Sequence, residues 1–78
     1  MPVDANRKAV RRTLQNMAPS VAVPYIKSFE LPEEEEVVVI RHDCRRESLQ
    51  QIAISMSLSV EAVKDRRAAA LQKIANAT

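Results

Sequence analysis

The chain has 78 residues, a net charge of +2 at neutral pH, no Gly, and only two aromatic side chains, Tyr25 and Phe29. This length suits one small domain, which hides only about two-thirds of its unfolded surface. No apolar run approaches the ~18 residues of a membrane span, and residues 1–12 lack the apolar core of a secretion signal. The chain is therefore expected to be cytoplasmic, with no membrane partner. Ala, Val, Leu and Ile set among Gln, Glu, Lys and Arg favour helices, and no Asn-Gly or Asp-Gly hairpin signal occurs. The expected fold class is all-α, a small helical bundle of about four to five helices.

In chain order, Asp4 is expected to cap a first helix over about Ala5 to Met17. Val10, Leu14 and Met17 form its apolar stripe, and Arg7, Lys8, Arg11 and Arg12 occupy other faces. Pro19 is expected to end that helix and residues 20–24 to form a connector. Pro24 then suits the first turn of a short helix. Tyr25 and Phe29, with Ile26, are expected to fill core space rather than stack on bases. Pro32 opens the next helix. Glu33, Glu34, Glu35 and Glu36 in its first turn complement the positive end of the helix dipole. Val37, Ile40 and Cys44 form its stripe. The β-branched run Val37 to Ile40 fits a strand in isolation, but its helical neighbours favour a helix.

Cys44, the single cysteine, cannot form an internal disulfide and reads as a small buried apolar residue. The lone His42 beside a solvated acid run offers no metal-ligand geometry. With one Cys, one His and no phosphate loop, the chain is not expected to be an enzyme or to need a cofactor.

The last third carries the clearest signal. Ser48 is expected to cap a short helix, Leu49 to Met56, with Leu49, Ile52, Ala53 and Met56 on one face. Ser57, Leu58 and Ser59 form a turn, and Ser59 caps a helix from Val60 to about Ala75. In that helix Val60, Val63, Leu71 and Ile74 point inward, with the small Ala70 near a helix crossing. Two short helices joined by a three-residue turn are the layout of a helix-turn-helix. The helix Val60–Ala75 is then expected to be its recognition helix.

Charge is uneven: residues 1–29 carry +4, residues 30–58 carry −4 and residues 59–78 carry +2. Two basic faces of this kind suit a phosphate backbone, with the acidic face turned away; ordinary solvated helix surface explains them equally well. In a docked recognition helix, Glu61 could accept from a cytosine amino group, Ala62 could touch a thymine methyl, and Lys64 or Arg67 could reach guanine or phosphate. Ser59, Asp65 and Arg66 belong to the same helix start. Arg66 could instead pair internally with an acid. Arg45, Arg46, Ser48, Gln50 and Lys73 suit phosphate contacts that position without reading sequence.

Leu31-Pro32, Val37-Val38-Val39-Ile40-Arg41, SLQQIA and SLSVEAVKDRRAAALQKI together resemble bacterial sigma factor region four. Ser48, Ile52, Ala53, Leu58, Ser59, Val60, Val63, Lys64, Arg66, Ala70 and Ile74 match that pattern. The resemblance covers about residues 31–75 and implies a region-four-like unit over 31–78, with residues 1–30 as a helical extension packed on it. Ser57 stands where the family has Gly, at a position that tends to positive φ. The loop around Arg45 lacks the family's Gly and is one residue longer. Ala62 replaces Thr, and Ala69 replaces a common Arg. No counterpart of the promoter-melting region is present, so the resemblance implies a small stand-alone regulator of phage or mobile-element type.

The resulting expectation is a transcriptional regulator that binds double-stranded DNA, with RNA polymerase as a further partner and a homodimer as a possible form. The alternative is a protein-interaction module that binds RNA polymerase or another regulator without touching DNA.

Overall fold

A computed structural model describes the backbone of residues 3–78 and the side chains of residues 6–78. Among the described residues there are five α-helices and no strand: α1 (Val3–Asn16), α2 (Pro19–Lys27), α3 (Glu33–Val39), α4 (Leu49–Met56) and α5 (Val60–Ala77). A π-helical turn, Ile40–Cys44, extends α3. No described helix is long and apolar enough to cross a membrane.

The N-terminal third departs from expectation in two places. Helix α1 already includes Val3, so Asp4 lies within its first turn and is not the residue ahead of it. Residues 20–24 are helical and form no connector. Pro19 does not merely follow a helix; it opens α2, where a missing N–H costs nothing. Pro24 sits inside α2 instead of at its start. It removes one N–H, the one that would reach Ser20, and both residues face solvent. Tyr25 and Phe29 meet edge to face, with ring centroids 5.1 Å apart, and pack against the core as expected.

Among the described residues the apolar interior has two parts. The larger joins Val10 and Leu14 of α1, Ala22 and Ile26 of α2, Val39, Ile40 and Cys44, and Ala70, Leu71 and Ile74 of α5. The smaller joins Val38 to Ile52 and Ala53 of α4 and Val63 of α5, with Leu49, Met56, Leu58 and Val60 around them. The run of β-branched residues in α3 now has a physical reason. Neighbouring residues point about 100° apart on a helix, so Val38 fills one cluster and Val39 the other. Val37, expected inside, is only half-buried. Helix α5 touches α1, α3 and α4, which makes it the central strut of the bundle.

The π turn is closed by the Arg45 N–H donating to the Ile40 carbonyl at 3.0 Å. It takes in one residue more than an α-turn would. The chain then leaves the helix through Arg46, at φ 58. With no Gly in the sequence, the left-handed positions fall to Glu30, Arg46 and Ser57.

Candidate nucleic-acid interface

Helices α4 and α5 form as their caps dictate. The Ser48 hydroxyl accepts from the Gln51 N–H at 3.1 Å, and the Gln51 side chain accepts from the Ser48 N–H at 3.2 Å. This reciprocal pair satisfies two of the donors that a helix start leaves open. The Ser59 hydroxyl accepts from the Ala62 N–H at 3.1 Å and starts α5 in the same way. Between them Ser57 is left-handed, at φ 56 and ψ 40. The Leu58 N–H reaches the Ala53 carbonyl at 2.9 Å and the Ser57 N–H reaches Ile54 at 3.3 Å, the bond pair of a Schellman ending. The smaller core cluster then fixes α4 against α5.

This framework exposes the start of α5. Ser59, Glu61, Lys64 and Asp65 face solvent, and Ala62 is half-buried. Lys64 pairs with Glu61 one turn away, Nζ to Oε1 3.3 Å; such an exposed pair leaves both groups accessible to solvent and ligands. Arg45, Arg46, Ser48 and Gln50 are exposed at the entry to α4. Among the described residues neither Arg45 nor Arg46 has an ion-pair partner.

Three other residues expected at the interface also make ion pairs within the fold. The Arg67 guanidinium donates to Asp43 through Nε (3.0 Å) and Nη2 (2.7 Å). Asp43 is 1% exposed at its side chain and Arg67 16%, so most of this cation is buried against the carboxylate. Lys73 holds Glu35 of α3 at 3.0 Å. It lies 14 residues beyond Ser59, roughly 20 Å along the helix axis at the usual rise. Arg66 approaches Glu34 at 4.0 Å. Together Lys73 and Arg66 tie α5 to the acidic first turn of α3.

The loop before α4 has its own clamp. Arg41 donates to Glu47 through Nε (3.0 Å) and Nη2 (2.6 Å) and to the Ser55 hydroxyl through Nη1 (2.8 Å). These hydrogen bonds hold the Glu47 carboxyl below its ordinary range, and hydrogen bonding to Glu47 likewise raises Arg41. The His42 ring nitrogen Nδ1 lies 2.8 Å from the Glu47 carbonyl oxygen. The loop that carries Arg45 and Arg46 is thereby fastened to both α3 and α4.

No family model matches the chain, nor does any curated protein or solved structure. The site therefore stands on its own geometry. Among the described residues no group of three or more His, Cys, Asp or Glu is placed to hold a metal.

Sequence reasoning missed one neighbour of this face. Helix α1 lies against α5, and Arg7, Lys8 and Arg11 line a depression of about 190 Å³ with Lys64, Arg67, Ala68 and Leu71. The signal was present as a basic cluster beside the Val10–Leu14 stripe. The stripe shows that α1 packs on something, but not that its partner is α5.

Proposed function

We propose that this chain is a DNA-binding transcriptional regulator that uses α4 and α5 as a helix-turn-helix, with the first two turns of α5 in the major groove. The observation that carries the reading is the capped, solvent-exposed start of α5, held on α4 by Ile52, Ala53 and Val63 and flanked by the exposed cations Arg45 and Arg46. Glu61, Ala62 and Lys64 have the chemistry to meet base edges. Arg45, Arg46, Ser48 and Gln50 have the chemistry to meet phosphates. The resemblance to sigma factor region four over residues 31–75 agrees with this assignment, and RNA polymerase is the further partner it implies. Arg67 is left out because it is mostly buried against Asp43, and Lys73 because it lies 14 residues along α5 from Ser59.

Equilibrium titration of labelled duplex at low salt tests the reading. Binding should weaken steeply as salt is raised, because phosphate contacts release counterions. Lys64→Ala should weaken it further without changing the helical content. Absence of binding by folded protein at low salt would reject the reading.

A second reading, a module that binds RNA polymerase or another protein, draws on Ile54. This large apolar residue on α4 is 81% exposed. Capture of the polymerase by the wild type and not by Ile54→Glu, in a protein that binds no duplex, would favour it.

A further inference from the structure

We infer that α1 is a second DNA-contacting element, and that its Lys8, Arg11 and Arg12 grip the phosphate backbone of a duplex seated on α5. This assignment rests on the DNA-binding reading of α5 and extends it to a helix outside the helix-turn-helix.

The first observation is placement. Val10 and Leu14 pack into the same cluster as Ala70, Leu71 and Ile74, which docks α1 along α5 and fixes where its charges lie. Lys8 and Arg11 line one depression together with Lys64, a residue of the proposed base-reading face. Lys8, Arg11, Arg12 and Gln15 line a second depression on the outer side of α1. Lys8 and Arg11 line both depressions, so cationic side chains extend from Lys64 on α5 across α1.

The second observation is the state of the charges among the described residues. Arg67, in the same groove, is neutralised by Asp43, and Lys64 is paired with Glu61. Among the described residues Lys8, Arg11 and Arg12 have no ion-pair partner. They stand at i, i+3 and i+4, where like charges on one helix repel. Like charges held this close on one helix are relieved by an anion, and a row of phosphates supplies one at each step.

The geometry favours a nucleic-acid backbone over an acidic protein face because the groove is continuous with α5. A duplex entering that helix brings its phosphates to the adjoining surface without a second partner.

The test is a salt titration of duplex binding by wild type and by Lys8→Gln/Arg11→Gln/Arg12→Gln, paired with phosphate-ethylation interference. Gln keeps helix propensity close to that of Lys and Arg. The double variant Lys8→Gln/Arg12→Gln changes exposed residues only and serves if the triple variant melts early. The wild type should bind, and the triple variant should flatten the slope of log K against log salt by roughly 2–3, near 0.9 for each phosphate that is no longer neutralised. A block of phosphates whose ethylation blocks the wild type should cease to matter for the variant. A wild type that binds, with slope and interference pattern unchanged in the variant, would overturn the assignment of α1, leave the α5 reading standing, and make an acidic protein the natural occupant of the groove. A wild type that binds no duplex would overturn both.

Discussion

Arg67 on α5 and Asp43 in the π turn form a two-point ion pair across 24 residues of sequence, with Nε–Oδ2 3.0 Å and Nη2–Oδ1 2.7 Å. The pair joins the end of the α3 extension to the helix proposed to enter DNA. Arg67→Ala would leave a carboxylate that is 1% exposed without its cation. Removing one partner of a buried pair costs about 3–5 kcal/mol, and the residual exposure of Arg67 places this case near the lower end. Urea denaturation should show the loss. Arg67→Met/Asp43→Leu should recover most of it, because an apolar pair leaves no stranded charge. At a temperature where Arg67→Ala is fully folded, its duplex affinity should stay close to wild type, in contrast to Lys64→Ala. A large loss of affinity in folded Arg67→Ala would return this residue to the DNA contacts.

Ser57 takes the left-handed conformation in the turn between α4 and α5, where a side chain costs about 1–2 kcal/mol. Ser57→Gly should remove most of that penalty; loss of backbone freedom in Gly offsets a part. A gain of about 1 kcal/mol corresponds to a rise of roughly 4–8 °C in Tm for a domain of this size. Thermal melting followed by circular dichroism measures it. A lower Tm would mean that the Ser57 side chain contributes a contact beyond its backbone role.

The Arg41–Glu47 clamp should be visible in acid. Glu47 has a lowered pKa when folded, first because of its hydrogen bonds from Arg41, so the unfolded chain binds its proton more tightly. The stabilisation is therefore complete above the ordinary carboxylate value of about 4.3 and is lost as pH falls through the lower folded value. Glu47→Gln should be less stable than wild type at pH 7, and the gap should close below about pH 4. Urea midpoints across that range decide it; a gap independent of pH would show that the carboxylate charge is not the stabilising feature.

Cys44 is buried in the larger core cluster, and burial pushes its thiol above the usual range. It should remain a neutral thiol at pH 7–8 and react slowly with a disulfide reagent in the native state. Full reaction should appear once urea unfolds the chain. Rapid labelling of native protein would place Cys44 at the surface.

The parts of this structure that were legible in sequence are those built from local rules. Ser48 and Ser59 cap as their position implies, and Ile52, Ala53 and Val63 meet as their spacing implies. The positive φ at Ser57 was legible only through the resemblance, which has Gly at that position. Other features depend on partners that spacing cannot identify. Two prolines suggested a broken segment around residues 20–24, yet one sits where its missing N–H is harmless and the other faces solvent. Arg67 has the same local setting as a DNA-contacting arginine; its ion pair with Asp43, 24 residues away in sequence, could not be read from spacing. The basic residues of α1 were plain to see, but their place beside α5 is set by tertiary packing of Val10 and Leu14.

The most direct measurement of the central claim is selection of bound duplexes from a randomised pool by the folded full chain. The expected result is enrichment of a short motif, whose preferred bases change in Glu61→Gln or Ala62→Thr. Recovery of sequences no different from the input, by protein of native helical content at low salt, would contradict DNA reading by the start of α5.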